Sequence, residues 1–154
     1  MNRLIQIKRI TPISLTAFAL ACFALLRTAQ AISPPPDGDY PNFTTAEGQN
    51  ALQSLTTGAG NTALGAYSLF STIDKSFNTA VGAGALDLNN GDENTAVGAA
   101  ALLLNTSGTE NTAIGTAALE FNDSGNNNNA VGAFALFSNT TGGGNTGWSP
   151  RALV

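Results

Sequence analysis

The sequence predicts a mainly β protein, a repetitive solenoid of the parallel β-roll kind with about seven 17-residue units. Three observations predict it. A phrase anchored on asparagine begins at Thr44, Asn61, Asn78, Asn94, Asn111, Asn128 and Asn145, and its clearest copies read Asn-Thr-Ala-Val-Gly (Asn78 to Gly82, Asn94 to Gly98). Seven to eight residues after each anchor comes Ala-Leu, from Ala51-Leu52 through Ala85-Leu86 to Ala152-Leu153, with Ser68-Leu69 as the variant. Loops rich in turn formers separate the copies, as in Asn139-Thr140-Thr141-Gly142-Gly143-Gly144. A fixed period of this size means that each unit buries its apolar side only by stacking on its neighbours. The chain therefore offers a repeating surface rather than a pocket.

Residues 1–31 read as a signal peptide. Arg3, Lys8 and Arg9 form a charged start, Ile13 to Leu26 an apolar run of 14 residues, and Ala29-Gln30-Ala31 a cleavage site of small residues. A membrane span needs roughly 20 residues, so the run fits a leader better than a retained anchor. Cys22 lies inside that run and would not begin a mature chain. Residues 32–43 form a proline-rich spacer (Pro34-Pro35-Pro36, Pro41), which favours an extended and semi-rigid polyproline conformation. The repeats occupy 44–154.

Inside a unit, Asn-Thr-Ala-Val places β-branched residues at alternate positions and suits a short strand. Thr79 and Val81 then share one face, Asn78 and Ala80 the other. Valine is the more apolar, so the column Leu64, Val81, Val97, Ile114, Val131 is expected to point inward, against a spine of Leu52, Leu69, Leu86, Leu102, Leu119, Leu136 and Leu153. Each fully buried member contributes roughly 1.5–3 kcal/mol. The alanines Ala63, Ala80, Ala96, Ala113 and Ala130 are then expected outside, as a subunit interface or a bare face kept small. The Ala-Leu segments hold helix-favouring residues and usually end in asparagine (Asn89, Asn105, Asn122, Asn139), which reads as one or two helical turns, with a second short strand as the alternative. Glycines at Gly65, Gly82, Gly98, Gly115 and Gly132 let each strand end turn sharply. The anchor asparagines, spaced at roughly 4.8 Å, are expected to form a hydrogen-bonded ladder and to serve structure rather than binding. One step, Asn78 to Asn94, is 16 residues, and the missing residue falls in the loop Asn89-Asn90-Gly91-Asp92-Glu93, because a slip within a strand would turn every side chain over. Glu47 in the first unit, where others place valine, and Trp148 and Pro150 in the last mark the ends.

Composition narrows the function. Beyond residue 31 only Lys75 and Arg151 oppose ten acidic residues, a net charge of −8, which argues against nucleic acid and against charge-driven binding to anionic lipid. The same region has no cysteine or histidine, so it forms no disulfide and lacks the groups for histidine-based triads, cysteine nucleophiles and ordinary zinc sites. Asp92-Glu93 lies in a loop without an apolar pocket to raise a pKa. The acids Asp74, Asp87, Asp92, Glu110 and Asp123 do not recur at one repeat position, as a repeated calcium site would require. The expectation is a non-enzymatic protein with no catalytic, cofactor or metal residues and no small-molecule substrate. Glycosylation-like matches such as Asn105-Thr106-Ser107 are read as chance.

The Asn-Thr-Ala-Val-Gly phrases, the spaced Ala-Leu and the Asn139 to Gly142 loop resemble the head repeats of YadA-like trimeric autotransporter adhesins, and those of phage-tail-fibre-like bacterial surface proteins. The resemblance covers 44–154. It implies left-handed parallel β-rolls, a homotrimer, and adhesion to a host or matrix surface. Family heads use a slightly shorter unit and are followed by a stalk with an anchor or chaperone domain, so the resemblance also implies a truncated reading frame or a short secreted relative. The expected function is thus a secreted or cell-surface structural and adhesive protein, whose rigid repetitive face binds an unidentified surface or matrix ligand by multivalent contact. The alternatives are a receptor-binding head fragment and an ice-binding solenoid. The regular threonines Thr45, Thr62, Thr79, Thr95, Thr112 and Thr146 suggest the latter, and their place beside the inward-pointing valines speaks against it.

Overall fold

A computed structural model describes residues 42–148 and 150. The leader at 1–31, most of the spacer and the final Ala152-Leu153 lie outside the described residues. Each coil contributes one three-residue strand: β1 (Thr45–Glu47), β2 (Thr62–Leu64), β3 (Thr79–Val81), β4 (Thr95–Val97), β5 (Thr112–Ile114), β6 (Asn129–Val131) and β7 (Thr146–Trp148). They form one parallel sheet in chain order. Threonine pairs with threonine and alanine with alanine across successive coils, so the repeat is a mainly β solenoid of about 17 residues per turn. The short coil keeps this register, with Thr79 opposite Thr95 and Val81 opposite Val97, and its deletion is confined to the loop.

The strand faces are the reverse of the sequence expectation. Ala63, Ala80, Ala96, Ala113 and Ala130 have no exposure at all, while Leu64, Val97 and Ile114 are 36–42% exposed. Alternation along the strand ties each alanine to its anchor asparagine, and the asparagine decides which face goes inside. The Asn94 N–H donates to Asn78 Oδ1 at 3.0 Å, Asn111 to Asn94 Oδ1 at 3.0 Å, and Asn128 to Asn111 Oδ1 at 3.0 Å. Buried amides are stable only when satisfied, and this ladder satisfies them. Asparagine therefore points in, alanine follows it, and valine is left outside. The alanine column is core and offers no subunit interface.

The Ala-Leu segment is not helical, and no helix occurs among the described residues. Its leucine sits in the left-handed region, at φ 50° in Leu52, Leu69, Leu102 and Leu136. A leucine there costs about 1–2 kcal/mol relative to the right-handed form. The cost is offset because the side chain enters the interior, fully buried in Leu69, Leu86, Leu102 and Leu119, and the N–H is already committed to the next coil. Leu86 donates to the Ala101 carbonyl at 3.0 Å and Leu102 to the Ala118 carbonyl at 2.9 Å. A helix would direct those donors back along the same segment and break the stack. The interior is thus narrow: one leucine and two alanines or a serine per coil, flanked by amides.

The asparagines after Ala-Leu do not terminate helices. Asn105 Nδ2 donates to Asn89 Oδ1 at 2.7 Å, Asn122 to Asn105 Oδ1 at 2.8 Å and Asn139 to Asn122 Oδ1 at 2.8 Å, a second ladder. Both ladders meet at a loop glycine. The Gly108 carbonyl accepts from Asn94 Nδ2 at 2.9 Å and Asn105 Nδ2 at 2.8 Å, and the Gly125 carbonyl accepts from Asn111 and Asn122 in the same way. The 16-residue coil departs from the scheme. Asn89 alone reaches Gly91, and the Asn78 amide turns instead to the Ser76 carbonyl at 3.2 Å.

Candidate functional site

With asparagine, alanine and leucine turned inward, the outward side of the sheet becomes a two-column array. The first column is Thr45, Thr62, Thr79, Thr95, Thr112, Asn129 and Thr146, half-buried or exposed throughout. The second is Glu47, Leu64, Val81, Val97, Ile114, Val131 and Trp148. Strand neighbours stand roughly 4.8 Å apart, and two residues along a strand span roughly 6.6 Å, which sets the mesh of the array. Its charge is confined to one end, at Glu47. Among the described residues, the Thr62, Thr79, Thr95 and Thr112 hydroxyls make no hydrogen bond within the protein. Each remains free to donate and to accept.

A second apolar stripe lies around the coil, before and after the leucine. It includes Tyr67 against Phe70, with ring centroids 5.5 Å apart, and Phe121 and Phe134 against Phe137 at 4.9 and 5.5 Å. The rings meet edge-to-face or tilted, so they form knobs and not a flat platform. Asp87 interrupts this stripe. One of its carboxylate oxygens is buried with no hydrogen-bond partner, and burial raises its pKa above the ordinary carboxylate range. Phe70 and Leu103 hold the equivalent place in the coils on either side.

The acidic residues that the sequence singled out do not converge. Asp74, Glu93, Glu110 and Asp123 are exposed on the loop edge, Asp74 pairing with Lys75 at 3.4 Å. Asp92 has a structural role, its Oδ1 accepting the Ser76 N–H at 2.7 Å. The same loop position repeats the device where Asn126 Oδ1 accepts the Thr109 N–H at 2.7 Å. Among the described residues no group of three potential metal ligands forms, and no helix is long and apolar enough to cross a membrane. A cleft of about 380 Å³ lined by Leu136, Asn139, Thr140, Gly142 and Asn145 lies over the interior at the last coils. The outward threonine–valine array was missed in the sequence, although its signal was present: a polar anchor whose amide must be satisfied shares its face with alanine.

No known family model, curated protein or solved structure matches the chain.

Proposed function

We propose that the protein is a non-enzymatic structural and adhesive module, exported to the cell surface or beyond, that holds a surface or matrix ligand through its outward sheet face. The observation that supports this reading is the sevenfold repetition of one strand in strict register on a frame fixed by buried amide ladders. Contacts too weak to hold individually add up when a rigid face repeats them. The second, aromatic stripe serves self-association. A coil that buries one leucine and two small side chains has little apolar area with which to oppose the ordering entropy of 17 residues, roughly 1 kcal/mol or more for each backbone unit. Burying Tyr67, Phe70, Leu103, Phe121, Phe134 and Phe137 between copies supplies the missing area, and the homotrimer implied by the resemblance is the proposed assembly.

Multi-angle light scattering on the purified protein tests the assembly. A trimer mass is expected, and Phe134→Asp is expected to reduce it. A strict monomer at micromolar concentration removes the claim. Retention of the labelled protein on immobilised matrix proteins, polysaccharides and bare surfaces tests adhesion, and retention on none of them rejects it.

A further inference from the structure

We propose that the outward sheet face binds crystalline water, so that the surface to which the protein adheres is ice. This rests on the adhesive reading of that face and names its ligand. Three features of the array converge. Its hydroxyls face outward, are regularly placed and are not engaged within the protein, so each can take a water as donor or acceptor. A methyl-bearing side chain stands beside the hydroxyls of Thr62, Thr79, Thr95 and Thr112, at Leu64, Val81, Val97 and Ile114, and such groups order their first-shell water without binding it. The array is also uncharged beyond Glu47, so a charged partner finds little to grip, whereas a neutral lattice meets no desolvation penalty.

Rigidity makes the match possible. Sheets normally twist, and side-chain ladders are among the devices that resist twisting; two amide ladders run behind this face. Waters held on a fixed mesh of roughly 4.8 by 6.6 Å are already ordered in two dimensions before they meet a crystal. A crystalline polysaccharide is the competing periodic ligand. It calls for a row of planar aromatic platforms, and this face carries a ring only at its end, at Trp148, whereas Tyr67, Phe70, Phe121, Phe134 and Phe137 lie on the other stripe, packed edge-to-face or tilted against one another.

The test is incorporation of the fluorescently labelled protein into a slowly grown ice hemisphere, together with the gap between melting and freezing temperatures. The protein is expected to enter the ice and to open a gap. Thr95→Lys, which places an ammonium in mid-face, is expected to weaken both by roughly tenfold or more. Thr95→Leu is the second variant, chosen to retain the fold, and should also weaken both. Thr106→Lys on the loop edge should change neither. Exclusion of the folded protein from ice overturns the proposal, as does full activity in a folded Thr95 variant. Binding to crystalline cellulose with exclusion from ice overturns it too, while leaving the adhesive reading in place.

Discussion

Each coil has four left-handed positions, as at Gly98, Ala100, Leu102 and Glu110, and two of them turn corners that are built differently. At Gly98 φ is 137°, and a Cβ there would lie 2.6 Å from the Gly115 carbonyl carbon and oxygen of the next coil. Four residues later Leu102 stands at φ 50°, with its side chain fully buried. The first corner is closed to any side chain by conformation and by space. The second lies in a region that ordinary residues reach at a cost of about 1–2 kcal/mol, and the stack supplies a reason to bear it. One corner is a rule about glycine. The other is a local strain held in place by neighbours.

The largest effect should come from the first corner. Gly98→Ala forces two coils apart along their backbones, and a loss of roughly 3 kcal/mol or more is expected in urea unfolding. A variant within 1 kcal/mol of the parent, a margin well below ordinary overpacking costs of about 1–3 kcal/mol, would show that the coils are looser than described. At the second corner, Leu102→Ala should cost about 2–5 kcal/mol through the cavity it leaves. Leu102→Gly is the sharper test. Glycine in regular structure is normally about 0.5–1 kcal/mol worse than alanine, but at φ 50° it should be no worse, and equal or higher stability of the glycine variant would isolate the backbone strain.

The residue after this corner gives a pH test in the third coil. Asp87 has its pKa raised by burial, so the folded chain holds the proton more tightly than the unfolded one. Its contribution favours folding below the ordinary carboxylate range and is lost as pH rises through the raised value. Asp87→Asn removes that dependence. The variant's advantage in urea midpoint over the parent should therefore be smallest below the ordinary aspartate pKa of about 3.9 and grow as pH rises above it. A constant difference would deny the burial effect. The smallest change is expected at Ala100, which is left-handed at φ 58° but only half-buried. Ala100→Gly should stabilise by a few tenths of a kcal/mol, the relief of strain exceeding the added freedom of the unfolded chain. Thermal midpoints would register it.

The two corners also mark what a sequence reveals. Gly65, Gly82, Gly98, Gly115 and Gly132 announce their corner, because only glycine suits it. Leu102 does not announce its own. Alanine and leucine favour helix locally, and only the demand of the next coil for their N–H groups overrides that preference. The period, the parallel strands and the loop position of the 16-residue defect were legible, since they depend on spacing alone. Facing was not, because hydropathy ranks valine above alanine, while the buried amide of Asn94 outweighs that ranking. The interior ladder from Asn89 to Asn139 was likewise hidden, since a lone asparagine after an apolar stretch reads the same whether it ends a helix or lines a core.

Asn94 has a further consequence for how the molecule is made. Its Nδ2 closes its own turn on Gly108, and its Oδ1 then stands ready for the N–H of Asn111. Asn111 and Asn128 repeat both gestures. From Asn94 onward, each finished turn thus offers the next one an acceptor already held in place. A polypeptide emerging amino end first would therefore meet, at each new coil, a neighbour that already holds the partner for its anchor.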